Sequence, residues 1–193
     1  MLLKLIKAYM DRVWRREVEY WWHSPSADFK KFDIERIGSR SLKYGWGIYF
    51  AGTLKHAINH NMKQDHIYRI PVSKVNHLPY LIYTKDLKEH ANPQVHVVAR
   101  QFYGAKYDDK SFHKIGHRFY KDIYESERLR VKDSNGCAAR YLSSNGIVGG
   151  VVDESGERII VIYDTQLWDH AERVNLNRDE VGKVSVLPTV KDN

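Results

Sequence analysis

The order of hydrophobic and polar residues predicts strands interleaved with one-sided helices. Apolar residues recur every three or four positions over residues 2–14, which is typical of an amphipathic helix. An aromatic-rich strand follows over 18–23, and a second strand covers 48–50. Thr53 is a good helix cap, because its hydroxyl can accept a hydrogen bond from a backbone N–H, and it predicts a helix over about 54–61.

Further strands and helices are predicted in the middle of the chain. Residues 67–72 alternate as a strand, and residues 78–83 form another. The pattern over about 85–124 is largely helical. Residues 133–135 are N-cap candidates for a helix that runs through Leu142 and ends at an Asn-Gly pair, where glycine favours the left-handed conformation.

The last predicted element is a hairpin. Its strands cover 147–152 and 158–164, and the turn over 153–156 carries a glycine. The tail after His170 is polar and weakly patterned, so no strand is predicted there. Strands and helices in this order predict an α+β fold with a mostly antiparallel sheet, split so that a cleft lies between its two halves.

Composition and charge narrow the class of protein. The 193 residues fit one domain, and no apolar run is long enough to span a bilayer. Cys137 is the single cysteine, which excludes an internal disulfide and predicts a buried structural thiol. We therefore expect a protein of the reducing cytoplasm, without an export signal or membrane contact. The formal net charge of +7 favours an anionic partner.

Two short motifs predict chemistry. His23 ends the first aromatic strand, and a Gly-x-Gly corner at 45–47 leads into the second. A tight glycine corner before a strand presents Tyr49 at the edge of a cleft, where a flat aromatic ligand can stack. The corner is not a dinucleotide-binding fingerprint, because Phe50 occupies the position of the third glycine.

These motifs resemble the first two motifs of the His-Tyr-Glu class of ADP-ribosyltransferases, which includes diphtheria-type toxins and poly(ADP-ribose) polymerases. The chain is most similar to the ADP-ribosyltransferase domain of phage polyvalent proteins. The resemblance covers roughly residues 18–168. Further segments resemble that family in the same order: 28–33, 37–38, 67–72, 85–87, 93–95, 146–150 and 161–164.

The resemblance implies an architecture and a substrate. The expected fold is the ADP-ribosyltransferase split β-sandwich with flanking helices, which holds NAD across the split. The chain then divides into an N-terminal amphipathic helix over 1–17, the ADP-ribosyltransferase-like domain over 18–168 and a polar tail over 169–193.

Five residues are implied to bind NAD. By position, His23 hydrogen-bonds a ribose hydroxyl, and the backbone of Ser24 grips the nicotinamide amide. The family has glycine and then serine or threonine after the histidine, whereas this chain has serine and proline. Tyr49 stacks on the nicotinamide ring, Gly47 belongs to the same corner, and His60 stands where a second stacking aromatic is often found. Tyr49 and His23 are also implied to act in catalysis.

The third motif of the class requires an acid, which stabilises positive charge on the ribose as nicotinamide leaves. The usual position of that acid is Ile159 here. Glu157 shares a strand face with position 159 and is the predicted catalytic acid. Glu154 and Asp153, in the turn, are the alternatives.

A stretch over 100–124 mixes basic and aromatic residues. Basic side chains over stacking rings hold single-stranded nucleic acid, and this predicts contacts by Lys106, Lys110, Lys114 and Arg118. The alternative is that the rings face the core and the cations are solvated.

No metal site is predicted. His56 and His60 have the helical spacing of a zinc pair, but the residues between them offer no general base.

The expected function is NAD-dependent mono-ADP-ribosyl transfer to a macromolecule, with RNA or DNA favoured over protein. The resemblance gives it a phage or antiphage-toxin character, and whether an antitoxin binds it is left open. Two alternatives remain: an NAD glycohydrolase, in which water replaces the acceptor, and a catalytically inactive RNA-binding module of the same fold.

Overall fold

The computed structural model describes residues 19–25, 43–60, 65–128, 136–154, 156–178 and 184–186. Four predicted features lie outside these residues: the amphipathic helix over 1–17, the family-like segments at 28–33 and 37–38, and the N-cap candidates at 133–135. Within the described part of the chain, no helix is long and apolar enough to cross a membrane.

Strands β1 to β7 form one mixed sheet, which β8 extends at one edge. The spatial order is β4-β5-β6-β2-β1-β3-β7-β8. Only β4 and β5 are parallel among the described neighbours, so the prediction of an α+β fold with a mostly antiparallel sheet is confirmed. The bounds are β1 Tyr20–His23, β2 Ile48–Ala51, β3 His66–Pro71, β4 Tyr80–Ile82, β5 Gly149–Glu154, β6 Glu157–Ile162, β7 Glu172–Arg178 and β8 Val184–Val186.

Five described α-helices flank the sheet, and local capping explains where several of them begin and end. The Thr53 hydroxyl accepts a hydrogen bond from the His56 N–H (3.2 Å), which confirms it as the cap of α1. Gly146 adopts a φ of +80° after α5, as predicted for its end. The helices are α1 Leu54–His60, α2 Val72–Val75, α3 Pro93–Tyr103, α4 Gly116–Arg128 and α5 Cys137–Ser144; short 3₁₀ helices cover Leu87–Glu89, Gly104–Asp108 and Thr165–His170.

One face of the sheet carries two separate hydrophobic cores. Helices α3, α4 and α5 pack on the half that contains β6, and α1 packs on the half that contains β1 and β3. The two cores meet along β2, because Tyr49 packs against the first and Ala51 belongs to the second. The helices on this face therefore form two groups, α3–α5 and α1, which are separated at Tyr49.

Among the described residues, the opposite face has one core, which includes Phe50, Ile160 and Ile162. The 3₁₀ helix Thr165–His170 covers it with Trp168. Residues 159–162 of β6 are buried on both faces of the sheet, and all four are apolar, as expected for a central strand.

The sheet is weakly joined between β1 and β2. Their ladder consists of one residue pair, Trp22 with Ala51, whereas β1 makes four pairs with β3 and β2 makes four with β6. Among the described residues, no second pair of this ladder joins the two strands at the point where β1 ends and β2 begins. The arrangement is compatible with a sheet split into two halves.

The tail contains a strand that was not predicted. Strand β7 pairs with β3 and buries Val174. Five of its seven residues have charged or amide side chains, and the two apolar positions are too few to predict a strand from the sequence. The pairing with β3 stabilises it, and the sheet therefore extends past residue 168.

The Gly-x-Gly corner is tightly packed. Gly45 has a φ of +91° and Gly47 a φ of +156°. A Cβ on Gly47 would lie 2.6 Å from the Ile162 carbonyl oxygen and 2.7 Å from Cγ1 of Val161. No residue with a side chain fits there unless β6 moves.

We expect Gly47→Ala to destabilise the fold by about 2–4 kcal/mol, because the added methyl group meets backbone in an unfavourable φ region. Gly104→Ala is the control: its φ is also positive, at +61°, but no atom of the described residues lies within 4 Å of the added Cβ. The control should cost about 1–2 kcal/mol, the backbone strain without the crowding. Urea denaturation measures both, and equal losses would contradict the crowding at Gly47.

Candidate functional site

The phenol of Tyr49 folds back onto the loop that precedes its own strand. Its hydroxyl donates to the Gly45 carbonyl (2.7 Å) and accepts from the Tyr44 N–H (3.0 Å). Burial raises the pKa of Tyr49 well above its usual value, so the hydroxyl keeps its proton and remains a donor. The hydroxyl is thus held by two adjacent residues at the start of the corner.

His23 is tied to the same residue through the backbone. Its Nδ1 lies 2.8 Å from the Tyr49 carbonyl oxygen, and since a carbonyl can only accept, Nδ1 carries the proton. The ring packs on Phe50 (5.4 Å between centroids) and meets Trp168 edge-on (5.7 Å). Burial lowers the pKa of His23 to about 4, although the Tyr49 hydrogen bond opposes the shift. The imidazole is neutral at pH 7, and Nε2 holds a lone pair that can accept a hydrogen bond.

The rings of His23 and Tyr49 do not stack on each other. His23 lies with Phe50, and alternation along β2 directs Tyr49 to the other face, into the core formed by α3–α5. The structure joins the two residues through the Tyr49 carbonyl, at the weakly joined boundary between β1 and β2. Ser24 directly follows β1 at this boundary.

Glu157 lies on the same face as Tyr49 but further along the sheet. The register that pairs Ala51 with Ile159 brings Glu157 beside Thr53, whose hydroxyl donates to Oε2 of the carboxylate (3.1 Å). Tyr49 is opposite Val161, four residues from Glu157, which corresponds to about 13 Å along the strand.

The usual position of the acid is apolar core. Ile159 is 6% exposed and pairs with both Ala51 and Val152. Of the two alternative acids, Asp153 forms an ion pair with Arg158 (3.0 Å) on the outside of the hairpin. The backbone of the other, Glu154, pairs with Glu157.

His60 pairs with a second histidine on α1. Its Nε2 lies 3.1 Å from Nε2 of His56, and the two exposed rings are 4.8 Å apart. The helix is anchored instead by Ala57 and Ile58, which face the sheet. Stacking of His60 on a nicotinamide ring stays a prediction. Among the described residues, no group of three or more His, Cys, Asp or Glu side chains could hold a metal ion.

The aromatic residues of the basic stretch over 100–124 pack with one another rather than stand at the surface. Tyr103 contacts Phe112 (4.9 Å between centroids), and Phe102 contacts Phe119 (5.8 Å). These rings belong to or pack on the core formed by α3–α5. The rings of this stretch therefore face the core, as in the alternative interpretation of the sequence.

Two of the four cations predicted to contact nucleic acid have carboxylate partners. Lys114 and Arg118 both bind Asp122, at 2.9 and 2.7 Å. Lys106 and Lys110 are exposed. Contact with nucleic acid by this surface stays a prediction, and a phosphate at Lys114 or Arg118 would compete with Asp122.

Sequence reasoning missed a tyrosine network behind the corner. Tyr83 donates to the Tyr44 carbonyl (2.7 Å), and because that uses its one proton, Tyr163 donates to Tyr83 in their hydroxyl contact. Tyr120 accepts from the Trp46 N–H (2.9 Å). The contributing elements are distant in sequence, so no local pattern could have revealed these contacts.

Comparison of the chain with protein-family models, with curated proteins and with solved structures finds no match.

The buried histidines predict a pH dependence of stability. Burial, followed by the charge of Lys85, lowers the pKa of His90 to about 4, the same value as for His23. The unfolded chain takes up these protons near pH 6.5, before the folded chain does. Stability should therefore be full above pH 6.5 and fall as the pH drops toward 4. For His90, which is 5% exposed, the loss is about 2–3 kcal/mol.

Urea denaturation at pH 7.0 and 4.5 measures this loss. His90→Gln removes one of the two groups that titrate in this window, so the stability of the variant should fall less between the two pH values. An equal fall in the wild type and the variant would contradict the assignment.

Proposed function

We propose that this chain is an NAD-dependent ADP-ribosyltransferase of the split-sandwich type. The observation that carries the proposal is the hydrogen bond from Nδ1 of His23 to the Tyr49 carbonyl, at the weakly joined boundary of the sheet. It joins the histidine side chain of the first motif to the backbone of the tyrosine of the second motif. It also places the ring proton on Nδ1, which leaves Nε2 as an acceptor, while burial keeps the imidazole neutral.

The two residues would recognise different parts of NAD. Nε2 of His23 would accept a hydrogen bond from a ribose hydroxyl. The exposed edge of the Tyr49 ring would contact the nicotinamide, and the backbone of Ser24 would bind its amide. A ligand entering where β1 and β2 separate could touch all three. The corner at Gly47 is closely packed against β6, and so Tyr49 would be pre-organised for this contact.

Glu157 would stabilise the positive charge that develops on the ribose. The bond between the ribose carbon and nicotinamide breaks, nicotinamide leaves with the electron pair, and an acceptor oxygen or nitrogen bonds to the same carbon and loses its proton to solvent. Glu157 shares a face with Tyr49 about 13 Å away along β6, with the buried Ile159 between them, and it would approach the ribose from the end of the strand. To reach the ribose, the carboxylate would exchange its hydrogen bond with Thr53 for the ligand.

We propose a nucleic-acid acceptor ahead of a protein acceptor. The net charge of +7 attracts a polyanion, and Lys106 and Lys110 are exposed. An antiphage-toxin role would follow from modification of RNA or DNA. NAD itself is anionic, so the net charge alone does not distinguish between acceptors. It supports a nucleic-acid acceptor only together with exposed lysines that would lie away from the bound NAD.

The test uses the whole chain with NAD labelled separately in its nicotinamide and its adenylate. Nicotinamide release together with transfer of the adenylate label to RNA or DNA is the expected result. Label on protein alone would move the acceptor to protein. Release without transfer would make the chain a glycohydrolase. Failure to release nicotinamide with each of the three pools (protein, RNA and DNA) would overturn the proposal and favour a binding module.

A further inference from the structure

The peptide group between Gly45 and Trp46 is held from both sides by tyrosine hydroxyls. Its carbonyl oxygen accepts from Tyr49 (2.7 Å), and its N–H donates to Tyr120 (2.9 Å). The oxygen and the N–H point in opposite directions across one planar unit. The two hydroxyls therefore fix the plane of this peptide together, and rotation of the plane would break both hydrogen bonds.

Tyr120 is itself immobilised. It lies on α4, is 8% exposed, and packs against the rings of Tyr83 (6.0 Å) and Tyr163 (5.7 Å). Its ring is so close to the corner that a Cβ on Gly45 would lie 2.4 Å from its Cζ. Burial raises the pKa of Tyr120 to about 12, while the hydrogen bond from Trp46 opposes the shift, so the hydroxyl is neutral at pH 7.

We propose that Tyr120 is a positioning residue for the nicotinamide contact of Tyr49. By accepting from the Trp46 N–H, Tyr120 directs the Gly45 carbonyl toward the Tyr49 hydroxyl, and this bond sets the orientation of the Tyr49 ring. The helical unit of α3–α5 thus shapes the nucleotide site from a residue 74 positions downstream of the corner. This inference rests on the proposed function, because it assigns Tyr49 to nicotinamide.

The experiment compares Tyr120→Phe with Tyr124→Phe in the nicotinamide-release assay. Tyr124 is a half-buried tyrosine one turn further along α4, and its hydroxyl makes no hydrogen bond to the described residues. Tyr120→Phe should raise the KM for NAD about 10-fold with kcat changed by less than about 3-fold, the effect of losing one hydrogen bond. Tyr124→Phe should match the wild type.

A double-mutant cycle separates positioning from general support of the fold. Tyr49→Phe should also raise the KM, and Tyr49→Phe/Tyr120→Phe should raise it no further than the larger single effect, because both hydroxyls act on one peptide. Thermal unfolding is measured in parallel. A KM for Tyr120→Phe equal to that of Tyr124→Phe, or independent multiplication of the two single effects, would overturn the inference.

Failure of this inference is distinguishable from failure of the proposed function. A wild-type protein that releases nicotinamide, with Tyr120→Phe behaving as Tyr124→Phe, overturns the positioning role alone. A wild-type protein that neither binds NAD nor releases nicotinamide overturns both.

Discussion

Glu157→Gln should lower the rate of nicotinamide release from NAD by about 10²–10³-fold while NAD binding persists. The amide keeps the size of the side chain and can still contact Thr53, but it removes the negative charge that would stabilise the developing positive charge on the ribose. Single-turnover release of labelled nicotinamide measures the chemical step, and titration calorimetry with NAD measures binding.

The control is Glu172→Gln, which removes a carboxylate from β7, where Glu172 pairs with Arg69 (2.9 Å). Its release rate should stay within about twofold of the wild type, since surface ion pairs contribute little. Full activity in Glu157→Gln combined with loss in Glu154→Gln or Asp153→Asn would move the acid to the end of β5.

His23→Asn should lower NAD turnover by about 10–100-fold and should destabilise the fold less than His23→Ala does. The asparagine amide N–H can take the place of Nδ1–H and donate to the Tyr49 carbonyl, but it has no acceptor at the position of Nε2. The variant therefore isolates the contact proposed for the ribose hydroxyl. His23→Ala is a blunter change, because it removes the hydrogen bond to the Tyr49 carbonyl as well as the ring that packs on Phe50 and Trp168, and so should destabilise the fold more.

Turnover and urea denaturation are measured on the same preparations. His77→Ala is the matched control, because His77 is an exposed histidine after α2. Wild-type turnover in His23→Asn would show that Nε2 has no part in the reaction. Equal loss of stability in His23→Asn and His23→Ala would show that asparagine does not restore the hydrogen bond to the Tyr49 carbonyl. The acceptor role of Nε2 would then be tested with His23→Gln.

Local signals were sufficient for elements whose ends carry their own chemistry. The hairpin was predicted over 147–164 from two apolar runs around a glycine turn, and β5 and β6 pair there up to Glu154 and Glu157. Helix α1 begins where the Thr53 hydroxyl can cap it. Such elements depend on side chains within a few residues, so the sequence alone reveals them.

Elements that depend on a distant partner were not readable. Strand β7 has two apolar side chains, and its backbone pairs with the distant strand β3 over its first four residues and with β8 over its last three. The basic and aromatic stretch over 100–124 had two interpretations, because spacing along a helix does not say which neighbour covers a ring. Contacts among α3, α4 and α5 place the rings in the core.

The Gly-Trp-Gly corner shows most clearly which features are determined by the sequence and which by the tertiary structure. The sequence by itself determined that the chain turns sharply at Gly45 and Gly47, because glycine tolerates positive φ, and that Tyr49 follows on a strand. Only the tertiary structure decided why no side chain fits at Gly47, where the Ile162 carbonyl approaches, and which hydroxyls hold the Gly45–Trp46 peptide. Those contacts come from β6 and α4, and a local pattern carries no information about groups that meet only when the sheet and its helices pack together.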